Sequence, residues 1–294
     1  MKDHNRVLIS AVIIGLTLCV CLPFAYAEAD QMLDQAIKNI EPKDKLITQK
    51  EEIAVKKVEG GNVSTSTVAL ENVGKNSVVI DLRLDDGRTV KVLRRVVRLP
   101  LFEDVPSNHF AKKQIELSVA AGLIDKGGSV YFRPEGSIAR DNFAKMIARA
   151  LGVKPAEPKV GPASDVPLVN KNAKYVFYTL KTRGLMDIDS DGSFRPADKV
   201  TKGEAIAAFC RLDGIDQDWN MHESPFDDLS ARHKYAKYIS AAKAAGWLKF
   251  AEEAGVLDAD GPLTNAEFAY LLSKTKVGKK SIERLLNWEV GFSK

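Results

Sequence analysis

The sequence predicts a mainly α-helical protein with a small β-hairpin-containing segment ahead of the helices. Three observations carry this. Beyond Pro100, sets of anchor residues recur in the same order at intervals of 61 to 63 residues, each bracketing two helix-like stretches. Between Val78 and Leu93, apolar and polar residues alternate with period two. Finally, 45% hydrophobic and 28% charged residues over 294 positions suit one or two domains with real cores, which excludes disorder as the main theme.

The chain opens with Lys2 and Arg6, then an apolar run from Val7 to Leu22, then Pro23 and Ala25-Tyr26-Ala27. A cationic start, a run too short to span a bilayer and a small-x-small site read as a cleaved secretory signal, residues 1–27, with the mature chain starting at Glu28. Cys19 also raises lipidation, but Leu18 stands before it where lipoprotein processing wants a small residue. Cys19 and Cys21 leave with the signal, so Cys210, within Ala207-Ala208-Phe209-Cys210, is read as a buried core thiol rather than half of a disulfide.

Residues 28–60 are expected to form a short helix, with Met32, Leu33, Ala36, Ile37 and Ile40 at helical spacing before Pro42, and then a charged connector. Residues 61–100 are the β segment. Val78–Leu84 and Thr89–Leu93 flank Asp85-Asp86-Gly87-Arg88, a hairpin with an Asp-Gly turn. So small a β unit needs something to pack on. Its Arg94, Arg95 and Arg98 are read as a solvated face. The net charge of +4, about +3 after signal removal, is too small to indicate nucleic acid.

The recurrent region divides into residues 101–157, 158–220 and 221–294. Asp104-Val105, Asp165-Val166 and Asp228-Leu229 open the three copies. Each opening precedes a helix-like stretch ending at Gly122, Gly184 or Gly246, where a left-handed terminus suits glycine. Phe132-Arg133-Pro134 and Phe194-Arg195-Pro196 mark the following turn, reduced to Gly261-Pro262 in the third copy. Second helices start at Ile138-Ala139-Arg140-Asp141-Asn142, Val200-Thr201-Lys202-Gly203-Glu204 and Leu263-Thr264-Asn265-Ala266-Glu267.

Taken together, residues 101–277 resemble the S-layer homology family three times over, with partial degeneration. The resemblance implies a pseudo-threefold helical domain whose inter-repeat grooves bind anionic secondary cell-wall polysaccharide, often pyruvylated, or modified peptidoglycan. Thr201 with Glu204 and Thr264 with Glu267 also make plain capping boxes. Capping does not account for Arg140 and Lys202, cations at a helix start where the macrodipole disfavours positive charge. An anion held between such a side chain and the helix N–H groups reverses that balance, so Arg140 and Lys202 are the first glycan-binding candidates. Surface charge is the alternative for both. Asn265 has no charge, so the pattern thins toward the C-terminus and one or two competent grooves are expected.

Phe110, Asn172 and Tyr235 occupy the family's aromatic position. Phe110 and Tyr235 are candidates for sugar stacking, with core packing as the alternative. Asp104, like Asp165 and Asp228, either contacts sugar hydroxyls or shapes a cap or turn. Asp187, Asp189 and Asp191, before Gly192, imitate the start of a calcium loop. However, Asp198 stands where a bidentate Glu is needed and Pro196 stiffens the segment, so no metal or other cofactor is expected. No nucleophile elbow, phosphate loop or dinucleotide fingerprint is present.

The expected function is non-catalytic anchoring of an exported protein at the cell wall, cell surface or periplasm. The partner is wall polysaccharide or peptidoglycan, with no nucleic acid and no membrane span after signal cleavage. The alternative is an envelope or S-layer assembly protein whose degenerate repeats bind another envelope protein.

Overall fold

The computed structural model describes residues 46–47, 72–83 and 89–288. The expected signal sequence, the expected short helix from Met32 to Ile40 and the expected Asp-Gly turn lie outside the described residues. Two compact units emerge, one ending at Leu99 and taking in the residues from Asn287 onward, the other running from Pro100 to Leu286.

In the first unit, β2 (Gly74–Arg83) and β3 (Thr89–Arg98) pair antiparallel in register from Gly74↔Arg98 to Arg83↔Thr89. This is the hairpin that the period-two pattern predicts. A two-residue strand, β1 (Leu46–Ile47), adds in parallel to the far end of β3, giving the order β1-β3-β2. Trp288 belongs to the same unit. Lys75 Nζ and Arg95 lie 4.5 and 4.8 Å from its ring, so Arg95 is engaged with an aromatic face as well as with solvent.

The second unit is helical: α1 (Lys112–Ala120), α2 (Arg140–Ala150), α3 (Ala173–Phe177), α4 (Lys202–Asp213), α5 (Ala236–Ala244), α6 (Lys249–Glu252), α7 (Asn265–Lys274) and α8 (Lys276–Leu286). α3 runs on as a π-helical turn over Tyr178–Thr182, beside the buried Thr179, whose hydroxyl bonds back to Tyr175 O and Val176 O. α1, α3 with its π turn, and α5 end at Gly122, Gly184 and Gly246, all with φ between 60° and 74°, as expected for a glycine past a helix terminus.

The core follows from the composition of three helices. α4 carries Ala205 through Cys210 buried without interruption, so it is apolar all round and sits inside. Phe143 of α2, Phe209 of α4 and Phe268 of α7 are fully buried and meet at centroid separations of 5.7 to 5.8 Å. Cys210 is part of this core, as expected, and burial pushes its thiol up to about 12. α8 is fastened by Asp213, whose carboxylate accepts from Lys276 N at 2.8 and 3.0 Å. Among the described residues, no helix is long and apolar enough to cross a membrane.

Candidate functional site

Each of α2, α4 and α7 begins against a turn from another part of the chain. At α2, Arg140 N donates to Asp198 O and Asp141 N to Pro196 O, at 2.9 and 3.1 Å. At α4, Lys202 N reaches Gly261 O and Gly203 N reaches Ala259 O, at 3.0 and 2.8 Å. At α7, Asn265 N and Ala266 N reach Gly136 O and Pro134 O, at 2.9 and 3.0 Å. Bridges Ala139↔Lys199, Thr201↔Pro262 and Ser137↔Thr264 run alongside, so the three junctions close on one another in a cycle. The first two N–H groups of each of these helices are therefore already bonded to main-chain carbonyls.

The three turns are themselves held by the leading acids. Both carboxylate oxygens of Asp104 accept main-chain N–H bonds, from Phe132 at 2.8 Å and Arg133 at 2.6 Å. Asp165 does the same with Phe194 and Arg195 at 2.7 and 2.6 Å, and Asp228 with Leu257 and Asp258 at 3.0 and 2.6 Å. Arg133, Arg195 and Asp258 have φ of 59°, 54° and 54°, a left-handed conformation that costs a non-glycine residue about 1 kcal/mol. Two charge-assisted bonds per turn offset it. Asp104 is thus a turn clamp, a partner some 29 residues along the chain rather than a cap on the helix that follows it.

At the α2 junction Arg140 is largely buried, its side chain 14% exposed. Its Nε donates to Phe194 O at 2.6 Å, one terminal nitrogen to Glu204 and the other to Asp187 O at 2.9 Å, with the guanidinium 4.7 Å from the Phe194 ring. Burial pushes the Glu204 carboxyl up, and Arg140 offsets only part of that rise. Sequence reasoning gave Glu204 to a capping box with Thr201. Only half of the box forms, Glu204 N donating to Thr201 Oγ1, because the carboxylate turns to Arg140.

Lys202 stands equivalently at the α4 junction, 3.2 Å from Glu267 and 17% exposed. Glu267 also completes the capping box with Thr264. At the third junction no charge remains at either position. Asn265 donates its amide to Arg133 O at 2.9 Å, and Asn142 is exposed. Phe110 is 47% exposed and stacked on His109 and Phe250. Its counterpart Tyr235 is nearly buried and donates its hydroxyl to Asp187 Oδ2 at 3.3 Å.

Asp187 is where several of these groups converge. Arg211 grips its carboxylate with two bonds of 3.1 and 3.2 Å, and Lys234 lies 3.4 Å away. Burial pushes this carboxyl up, but Arg211 and Lys234 outweigh it and hold the group below its ordinary value. Asp187 lines an open cleft of about 650 Å³ together with Lys181, Arg211, Lys234, Tyr235 and Tyr238. Lys181, Arg211 and Lys234 line the cleft and Arg140 lies behind Asp187, four cations against the carboxylates of Asp187 and Glu204, so the cleft region carries surplus positive charge. Of the sequence candidates, the fold thus brings Arg140, Tyr235 and Asp187 together. Lys202 and Phe110 sit at the other junctions, and Asp104 holds a turn.

The calcium-like spacing does not translate into a shared site. Asp187 binds Arg211, Asp189 pairs with Arg195 at 2.8 Å, and Asp191 accepts from the Ser193 main chain and hydroxyl. Sequence reasoning missed Arg211, Lys234 and Tyr238. No local pattern pointed to them: Lys234 lies in the turn before α5, and Arg211 and Tyr238 sit on two different helices.

The "Cell surface glycoprotein 1" of Acetivibrio thermocellus is 33% identical over 109 residues, 35% of this chain and 5% of that protein. The "Surface-layer 125 kDa protein" of Lysinibacillus sphaericus is 28% identical over 173 residues, 56% of this chain and 14% of that protein. "Exoglucanase XynX" of Acetivibrio thermocellus is 27% identical over 191 residues, 63% of this chain and 17% of that protein. The chain therefore spans only a small part of the length of these relatives. The S-layer homology domain model matches residues 164–206, a stretch that takes in the Asp165 clamp and Glu204.

Proposed function

We propose that this chain is a non-catalytic, exported cell-surface protein that holds the envelope by binding an anionic wall polymer in the cleft beside Asp187. The observation that carries the reading is the surplus of cations there: Arg211, Lys234 and Lys181 line a cleft floored by Asp187 and backed by Arg140. A carboxylate-bearing sugar matches it in charge, and the hydroxyls of Tyr235 and Tyr238 and the carboxylate of Asp187 suit sugar hydroxyls. The S-layer homology match and the surface-protein relatives support an envelope-anchoring role.

In this reading the three junctions are one unit used three times, supported by the recurring acid clamps and the cyclic bridges. Arg140 supports the cleft from below instead of leading the contact. The other two junctions are secondary, because Lys202 is already neutralised by Glu267 and Asn265 carries no charge.

The test is co-sedimentation with purified cell walls before and after acid stripping of wall polymers. Binding that disappears on stripping, and that weakens with salt and in Lys234→Ala, supports the reading. Binding that survives stripping moves the ligand to peptidoglycan. No binding at all favours the alternative, an assembly protein that docks on another envelope protein.

A further inference from the structure

The loop that connects α4 to the next clamp carries a tryptophan that the fold does not use. Trp219 is 69% exposed, whereas Trp247 is buried at 3%. A single exposed apolar side chain is ordinary, but this one is held in place. Its neighbour Asp218 accepts from Ser240 Oγ at 2.6 Å and from Asn220 N at 3.1 Å, and Asp218 N donates to Lys237 O at 3.0 Å. Lys237 Nζ then sits 4.3 Å from the indole centroid, covering the ring from the α5 side. The loop is thereby tied to α5 at its main chain, at a side chain and at the ring itself.

The position of this ring is what gives it meaning. Gln217, two residues before it, lines the cleft, and so do Lys234 and Tyr238, which flank Lys237. Trp219 therefore stands at the cleft rim, next to Gln217 and against Lys237 of α5, whose neighbour Tyr238 lines the cleft. A rigid ring with most of its surface in water favours a ligand that is flat, rich in C–H groups and still hydrated at its edges. The C–H face of a pyranose has that character, whereas a bare anion does not.

We infer that Trp219 is a second subsite, stacking on an uncharged sugar residue next to the anionic residue held in the cleft. The inference rests on the cleft reading above and adds to it: the ligand recognised is a chain of at least two sugar residues. Lys237 orients the indole and does not touch the sugar.

The probe is wall polysaccharide released by acid and size-fractionated into single repeating units and longer oligomers, titrated calorimetrically against the exported chain. The wild type is expected to bind oligomers about tenfold more tightly than single units, the scale of one aromatic contact. Trp219→Ala should lose that gain and keep single-unit affinity, and Trp219→Phe should restore part of it. Lys234→Ala should weaken both fractions alike. If Trp219→Ala keeps the full gain for oligomers, the rim subsite is wrong while the cleft stands. If the wild type binds neither fraction, the cleft reading fails and takes the subsite with it. Acrylamide quenching gives a second readout: oligomers should shield the exposed tryptophan in the wild type, and unchanged quenching would also overturn the subsite.

Discussion

Replacing Arg140 with alanine separates support from ligand contact. The substitution leaves the Glu204 carboxylate, 4% exposed, without its cation, and leaves Phe194 O and Asp187 O without the donors they now have. Removing one partner of a buried pair costs about 3–5 kcal/mol. Because the Arg140 side chain retains 14% exposure, the lower part of that range applies, about 3 kcal/mol. In a domain of this size that lowers the melting temperature by roughly 10 °C. Arg140→Met/Glu204→Gln removes both charges and should recover about 2 kcal/mol of the loss, since a missing pair is cheaper than a broken one.

The pH dependence follows with a definite sign. Burial raises the Glu204 carboxyl above its ordinary 4.5, so the lone carboxylate of Arg140→Ala is penalised in full above its folded pKa. The penalty shrinks as pH falls toward 4.5 and is gone below it, while the double variant shows no such recovery. Urea unfolding of the three proteins, the wild type, Arg140→Ala and the double variant, at pH 7 and pH 5 measures this. Arg140→Ala unfolding within 1 kcal/mol of wild type, yet unable to bind walls, would refute the reasoning and return Arg140 to the role of ligand contact.

Other outcomes follow from the same geometry. Asp104→Ala should cost about 2–3 kcal/mol through the loss of two charge-assisted bonds, while wall binding per folded molecule stays unchanged, read by denaturant melts and co-sedimentation. Arg133→Gly relieves a left-handed φ of 59° and should stabilise the fold by up to about 1 kcal/mol. Phe209→Ala opens a cavity among the three central rings and should cost about 4 kcal/mol, against about 1 kcal/mol for Phe209→Leu. Asp187 is held below its ordinary 3.8 by Arg211 and Lys234, so whatever it adds to stability is present above pH 3.8 and lost as pH falls through its lower folded value. Asp187→Asn should flatten that acid limb in a pH series of melting temperatures.

Much of the helical unit was legible from local signals. The glycines past the helices, the period-two hairpin and the buried Cys210 depend on backbone freedom and side-chain periodicity within a few residues, and these are properties of the sequence itself. So was the recurrence of Asp104, Asp165 and Asp228, although not their purpose. Each carboxylate closes a turn 28 to 30 residues further on, a distance at which no pattern names the partner.

The candidate site was legible only in part. Arg140 was singled out because a cation at a helix start is disfavoured, and that reasoning was sound as far as one helix goes. What compensates it is Glu204, 64 residues along the chain, together with two carbonyls, and the first two helix N–H groups donate to a neighbouring turn. The sequence by itself determined the helices, their ends, the hairpin and the recurring anchors, because local backbone and side-chain preferences specify them. Only the tertiary structure decided that Arg140 is braced inside the protein while Asp187, Arg211 and Lys234 share a cleft. Charges find their partners through three-dimensional proximity and burial, and neither is written in sequence spacing.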